Sequence, residues 1–270
     1  MIPYSTQTIE YDDLEAVRDV LTSPFLTCGP KITEFEDKVC TYTGANFAVG
    51  VNSCTSALHL AMIALGVSKG DRVFVSAISF VASSNCARYQ GADVDFIDVD
   101  KYTGNLDVDS LEQMLIDADK EHRLPKVVVA VHLSGRAVDL ERIAKLKAKY
   151  CFYLIEDAAH AFGAIYHDSM IGSCKFSDIT VLSFHPVKII TTAEGGMCLT
   201  NNENLYKLMR KFSTHGIEHN LDALENKDMP AYYYEMQDLG FNYRLSDLQA
   251  ALGISQLAKV DELLRKRREI

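Results

Sequence analysis

The chain has 270 residues, a net charge of −10 at pH 7 and a hydrophobic content of 48%, as is typical of a soluble globular protein with one large or two small domains. The negative balance disfavours nucleic-acid binding, and no apolar stretch approaches the length of a membrane span. Seven dispersed cysteines without a CxxC pair indicate a reducing cytoplasm rather than a disulfide framework or a zinc site.

The N-terminus, MIPYSTQTIEYDDL, contains neither a basic nor an apolar region, so we expect no signal peptide. Further along, short β-branched runs alternate with amphipathic stretches such as Thr55 to Leu65 and Leu140 to Lys149. This alternation predicts an α/β fold with a mostly parallel, seven-stranded sheet between helices. The predicted strands are Phe47 to Val51, Arg72 to Ser76, Val94 to Ile97, Val127 to His132, Phe152 to Glu156, Ile179 to Ser183 and Met197 to Thr200.

The end of the chain carries one long helical pattern. It begins at Leu245 and reaches the last residue without a glycine cap, a proline or a following strand. We therefore expect a helix that leads toward a further part of the fold. The basic run from Arg265 to Arg268 is predicted to line a solvated face of this helix.

In parallel sheets, ligands bind where strands end and helices begin, so the residues after each strand are the candidates for a site. Thr55 and Ser56 follow the first strand at the start of an amphipathic helix, where hydroxyls and free backbone N–H groups suit a phosphate ester. Ordinary helix capping is the alternative. Phe80, after the second strand, could cover one face of an aromatic cofactor or simply pack.

Asp157 follows the apolar run from Phe152 to Ile155, and two alanines next to it leave room for a flat ligand. An aspartate there can pair with the protonated ring nitrogen of a pyridoxal cofactor, although a capping role is the alternative. His160, three residues later, could contact the cofactor ring or its phenolic oxygen. A satisfied structural histidine is the ordinary interpretation of such a residue.

Lys188 lies between two apolar strands, and Pro186 prevents further strand pairing before it. A lysine held there is partly desolvated, which lowers its pKa toward the nucleophilic form required of a Schiff-base lysine. A solvated loop lysine is the alternative. Ser183, at the end of the preceding strand, could add a hydroxyl to a phosphate site. Together, the phosphate-binding turn, the aromatic cover, the aspartate, the serine and the lysine predict a pyridoxal 5'-phosphate enzyme.

Four segments closely resemble motifs of the DegT/DnrJ/StrS sugar aminotransferases: GPKITEFE (Gly29 to Glu36), EDAAHAFG (Glu156 to Gly163), SFHPVKIITTAEGG (Ser183 to Gly196) and GFNYRLSDLQAALG (Gly240 to Gly253). The resemblance implies the large domain of a fold-type I enzyme. Residues 1–30 would form an N-terminal segment and residues 31–245 the domain that binds pyridoxal phosphate. Residues 246–270 would begin a helix that leads toward a small domain, which this chain lacks.

The same resemblance implies a role for each candidate residue. Lys188 would form the Schiff base and Asp157 would pair with the pyridine nitrogen. The phosphate would be held by Thr55, Ser56 and Ser183. Phe80 would stack on the ring, and His160 would lie beside it, where many relatives have glutamine. Asn242 would reach the cofactor of a neighbouring subunit, with Arg244 in the same segment, so a homodimer is expected.

The resemblance is greatest to PseC-type enzymes, which aminate a UDP-linked 4-keto-6-deoxy-HexNAc, a step in surface-glycan biosynthesis. It implies a ping-pong transamination with glutamate as the amino donor. Enzymes that act on dTDP- or GDP-linked keto-sugars remain an alternative, as does a noncatalytic remnant of the fold with a regulatory or structural role. Cys54 differs from the glycine or alanine that relatives often have.

Overall fold

The computed structural model describes residues 5–269, and its centre is a seven-stranded sheet. Its strands are β1 (Phe47–Val51), β2 (Arg72–Ser76), β3 (Asp93–Ile97), β4 (Val127–Val131), β5 (Tyr153–Asp157), β8 (Ile179–Ser183) and β9 (Gly196–Thr200). Two small hairpins lie outside this sheet: β6 (Ile165–Tyr166) pairs with β7 (Ser169–Met170), and β10 (Ile217–Glu218) pairs with β11 (Glu235–Met236). The seven predicted strands are confirmed, with ends that differ by one residue at most.

The strand order in the sheet is β1-β9-β8-β5-β4-β2-β3. Only β9 runs against the others, and it pairs antiparallel with both β8 and β1. The direct loop from β8 to β9 contains no helix, and such a connection suits antiparallel neighbours because parallel strands need a longer crossover. The prediction of a mostly parallel sheet is therefore confirmed.

Helices cover both faces of the sheet. Their bounds are α1 (Tyr11–Leu21), α2 (Pro30–Thr43), α3 (Cys54–Ala64), α4 (Ala82–Tyr89), α5 (Val108–Lys120), α6 (Leu140–Tyr150), α7 (Glu203–Ser213), α8 (Asp247–Leu257) and α9 (Val260–Arg268). Side chains alternate between two apolar cores, as in β2, where Phe74 faces one core and Val73 and Val75 face the other. None of the helices within 5–269 combines the length and the apolar character that crossing a membrane requires.

The helix predicted from Leu245 onward is interrupted. It begins at Asp247 and stops after Leu257, and a second helix starts at Val260. Lys259, with φ −107° and ψ 3°, forms the break. Its ammonium group lies 2.8 Å from a carboxylate oxygen of Asp12 and 2.9 Å from one of Asp13, so ion pairs with α1 accompany the turn between the two helices.

Candidate active site

The candidate site lies at one edge of the sheet, where β1, β2, β4, β5 and β8 all have their carboxyl ends. These strands are mutually parallel, because β1 and β8 both pair antiparallel with β9. The predicted site residues follow these strand ends, and the fold therefore gathers them at one edge.

Asp157 is the last residue of β5 and is buried, with only 4% of its surface exposed. One carboxylate oxygen accepts a hydrogen bond of 2.6 Å from the hydroxyl of Ser83, and the other accepts one of 3.1 Å from the backbone N–H of Ala159. The carboxylate is thus fixed in orientation. Sequence reasoning missed Ser83, whose only signal was its place in α4 after the second predicted strand.

Lys188 is half-buried in the loop between β8 and β9, where its backbone N–H donates to the backbone carbonyl of His185 at 2.9 Å. Burial lowers the pKa of its amine, while the nearby Cys54 and Asp157 act in the opposite direction. Lys188 and Asp157 are therefore near enough for their charges to interact. The thiol of Cys54 has a pKa raised well above its ordinary value, chiefly by burial, so it stays protonated.

The helix after β1 begins one residue earlier than predicted, at Cys54. Its capping residue is Ser53, whose hydroxyl accepts from the N–H of Ser56 at 3.1 Å, so the capping role considered for Thr55 and Ser56 belongs to their neighbour. The hydroxyl of Ser56 donates to the side-chain oxygen of Asn52 at 2.7 Å.

The start of α3 keeps donors available for an anion. Within residues 5–269, the backbone N–H groups of Cys54 and Thr55 have no hydrogen-bond acceptor. Gly196 lies against this turn, and a Cβ atom there would be 2.5 Å from the nitrogen of Cys54. Unpaired N–H groups at a helix start, close to a buried carboxylate and a desolvated amine, are the donor set that pyridoxal phosphate requires, so the residues present fit that group.

Three further predicted residues follow strand ends at the same edge of the sheet. Phe80 lies in the loop between β2 and α4 with 71% of its surface exposed, and Ser183 is buried at the end of β8. His160 is half-buried, and burial together with Lys188 lowers its pKa, which favours the neutral ring. Its Nδ1 accepts from the N–H of Ser134 at 3.4 Å, so its Nε2 carries the proton. Ser134 was not predicted from the sequence.

Asn242 and Arg244 lie beside the same strand end within this chain. The carbonyl of Asn242 accepts from the side chain of Asn52 at 3.3 Å, and Arg244 forms an antiparallel bridge with Val51. The side chain of Asn242 is exposed. Its contact with a neighbouring subunit stays a prediction.

The chain's similarity to known proteins agrees with this geometry. A model of the DegT/DnrJ/EryC1/StrS aminotransferase family matches residues 7–270. The chain belongs to this family. The predicted family and α/β fold are thereby confirmed, and so is the aminotransferase class.

Three relatives illustrate the similarity. The UDP-4-amino-4,6-dideoxy-N-acetyl-beta-L-altrosamine transaminase of Campylobacter jejuni is 42% identical over 270 residues, which cover all of this chain and 68% of the relative. The structure of Helicobacter pylori PseC, an aminotransferase of pseudaminic acid biosynthesis, is 33% identical with a TM-score of 0.87, covering 99% of this chain and 68% of that one. The PLP-form of Streptococcus pneumoniae Spr1654 is 29% identical with a TM-score of 0.86, covering 99% of this chain and 69% of that one.

Proposed function

We propose that this protein transfers an amino group from glutamate to position 4 of a UDP-linked 4-keto-6-deoxy-HexNAc, with pyridoxal 5'-phosphate as its cofactor. The observation that carries this proposal is the meeting of Lys188, Asp157 and the free N–H groups of α3 at one sheet edge. The substrate follows from the relatives in Campylobacter jejuni and Helicobacter pylori, whose names describe UDP-sugar and pseudaminic acid chemistry. Surface-glycan biosynthesis in the cytoplasm is part of the same proposal.

The cofactor would be held by residues that this structure orients. Its phosphate would bind the N–H groups of Cys54 and Thr55, with hydroxyls from Ser56 and Ser183. The fixed carboxylate of Asp157 would pair with the ring nitrogen, and Phe80 would cover one face of the ring. When bound, pyridoxal phosphate supplies a carbon that accepts and releases the amino group and a protonated ring that withdraws electrons from the reacting carbon.

The protein's own contribution to the reaction centres on the amine of Lys188. Because burial lowers its pKa, a larger fraction of the amine is neutral and can take a proton from one carbon and return it to another. The loop held by the bond to His185 limits where the amine can move. His160, neutral with its proton on Nε2, would donate a hydrogen bond to the phenolic oxygen of the cofactor.

A homodimer completes the proposal. Large apolar side chains of the segment after β2 lie exposed, among them Phe80, Val81 and Tyr89, which are 71%, 61% and 56% exposed. A partner subunit would cover such a surface, and Asn242 would then reach the partner's cofactor. Light scattering should give the mass of two chains. An Asn242→Ala variant should retain this mass but bind the cofactor less tightly.

The decisive experiment incubates the protein with pyridoxal phosphate, glutamate and a panel of UDP-, dTDP- and GDP-linked keto-sugars. Mass spectrometry should show amination of the UDP-linked HexNAc, and a Lys188→Ala variant should give none. Amination of only a dTDP- or GDP-linked sugar would replace the proposed substrate. Cofactor binding without amination of any sugar would favour the noncatalytic alternative.

A further inference from the structure

Two cavities flank the loop that carries Lys188. The larger has a volume of about 480 Å³ and is lined by Lys188 and His160 together with Arg267 and Arg268 of α9. The smaller, about 160 Å³, lies on the other side of the loop and shares Lys188 and Arg267 with the first. Arg267 therefore stands between the two cavities, next to the lysine.

The charge of these cavities is opposite to that of the whole chain. The sequence contains 37 acidic and 27 basic residues, yet among the described residues neither cavity lining includes an aspartate or a glutamate. The larger cavity gathers three cations and the smaller one gathers Lys188, Lys266 and Arg267. Space whose lining contains cations but no carboxylate raises the local concentration of anions.

The four basic residues of α9 divide into two pairs. Arg265 and Lys266 form ion pairs with Glu269 and Glu262 on the helix surface, as the predicted solvated face implies. Arg267 and Arg268 have no carboxylate partner within residues 5–269, but they are exposed like Arg265 and Lys266, so the predicted solvated face is confirmed for all four residues.

Both arginines are exposed, and each bonds to a backbone carbonyl of a residue that lines the larger cavity. The Nη2 group of Arg267 donates to the backbone carbonyl of Lys188 at 2.8 Å, and the Nη2 group of Arg268 donates to the backbone carbonyl of Gly163 at 3.4 Å. A guanidinium group has five N–H donors, so each arginine keeps several for a ligand. Its planar fork matches a carboxylate, and the pre-ordered side chain loses less entropy when the ligand binds.

We propose that Arg267 and Arg268 bind the carboxylates of a dicarboxylic amino donor, an inference that rests on the proposed function and adds its donor site. A carboxylate suits the position because Arg267 is bonded to the backbone of Lys188 itself. In an amino acid, one carboxylate is attached directly to the carbon that bears the amino group. In a nucleotide sugar, the diphosphate is separated from position 4 by the sugar ring, so it belongs farther from the lysine.

The first test measures binding without turnover. Protein saturated with pyridoxal phosphate is titrated with glutarate, a dicarboxylate without an amino group, by isothermal calorimetry. Arg267→Gln and Arg268→Gln should each weaken binding by roughly tenfold to a hundredfold, the loss expected for a charge-assisted pair. Arg265→Gln is the matched control on the same helix and should leave the affinity unchanged. Thermal unfolding of each variant verifies that it is folded.

Two outcomes overturn the inference. One is a glutarate affinity that is the same in all variants or not measurable in the unaltered protein. The other comes from a parallel titration with UDP: if the two substitutions weaken UDP binding and spare glutarate, the arginines bind the nucleotide diphosphate instead.

The second test mixes the cofactor-loaded protein with glutamate, glutamine or alanine and follows the cofactor spectrum over one half-reaction. The substitutions should raise the half-saturating glutamate concentration by tenfold or more, change the limiting rate less, and reduce the preference for glutamate over glutamine. Unchanged half-saturation in both variants contradicts the donor site. If no amino acid reacts with the unaltered protein while glutarate binding still depends on both arginines, the aminotransferase proposal fails and the dicarboxylate site stands.

Discussion

Asp157 and Phe80 illustrate two different parts of the candidate site. Asp157 is 4% exposed and both of its carboxylate oxygens accept hydrogen bonds from the same chain, whereas Phe80 is 71% exposed. The chain by itself therefore orients the groups at the reaction centre, while the aromatic edge remains open for a ligand or a second subunit. Substitutions at the centre should abolish chemistry, and substitutions at the edge should only weaken binding.

The largest effect is expected from Lys188→Ala. Loss of the amine removes both the attachment point of the cofactor and the proton carrier, so activity should fall by at least about 10³-fold. The visible absorbance of lysine-linked cofactor should disappear as well. Lys207→Ala, on the surface of α7, is the control. A Lys188→Ala variant that kept the absorbance would contradict the assignment.

Asp157→Asn should lower kcat/KM by about 10²-fold or more, because the ring nitrogen loses its charged partner. Ser83→Ala removes only the bond that orients this carboxylate. A hydrogen bond to a charged group contributes about 1.5–3 kcal/mol, so the loss should be roughly tenfold. Steady-state kinetics of the two single variants and of the double variant give the kcat/KM values to compare. If Ser83 acts through Asp157, its substitution should cost little more once Asp157 is replaced.

Phe80→Ala probes the open edge. Stacking of an aromatic pair contributes about 0.5–1.5 kcal/mol, so the cofactor should bind about two- to tenfold more weakly. Because the side chain is exposed, the free energy of unfolding of the cofactor-free protein should change by less than about 0.5 kcal/mol. A large loss of stability would show that Phe80 packs against the fold rather than covers a ligand.

The lowered pKa of Lys188 also predicts a pH dependence of stability. Burial lowers this pKa in the folded state, so between that value and the ordinary value of 10.5 the unfolded chain binds more protons than the folded one. The free energy of unfolding of the cofactor-free protein should therefore rise with pH across this window. Chemical denaturation at several pH values measures this rise in the free energy of unfolding, and Lys188→Met should make it shallower. A rise as steep in Lys188→Met as in the unaltered protein would argue against a desolvated amine.

The smallest effect is expected at Cys54. Its thiol has a raised pKa and stays protonated, so Cys54→Ala should leave kcat/KM within about twofold. Sensitivity to hydrogen peroxide should be unchanged too. A variant that became resistant to peroxide would identify this thiol as a site of oxidation near the cofactor phosphate.

The sequence by itself determined the strands, the order of the candidate site residues, the place of Asp157 at a strand end and the place of Lys188 in the loop between two strands. These features are local, since a β-branched run and the residue that follows it are read directly from neighbouring positions. The alternation of strands and helices also determined the sheet class, because a helix between two strands returns the chain to the end of the sheet where the first strand began, so the strands run parallel.

The tertiary structure decided which residues meet. Ser83 and Asp157 are 74 positions apart, and Arg267 and Lys188 are 79 apart. No periodicity in the sequence links such pairs, because contacts of this kind depend on how α4 and α9 are rotated against the sheet. The same holds for the break at Lys259, where ion pairs with α1 accompany a turn in a segment whose local pattern is continuously helical.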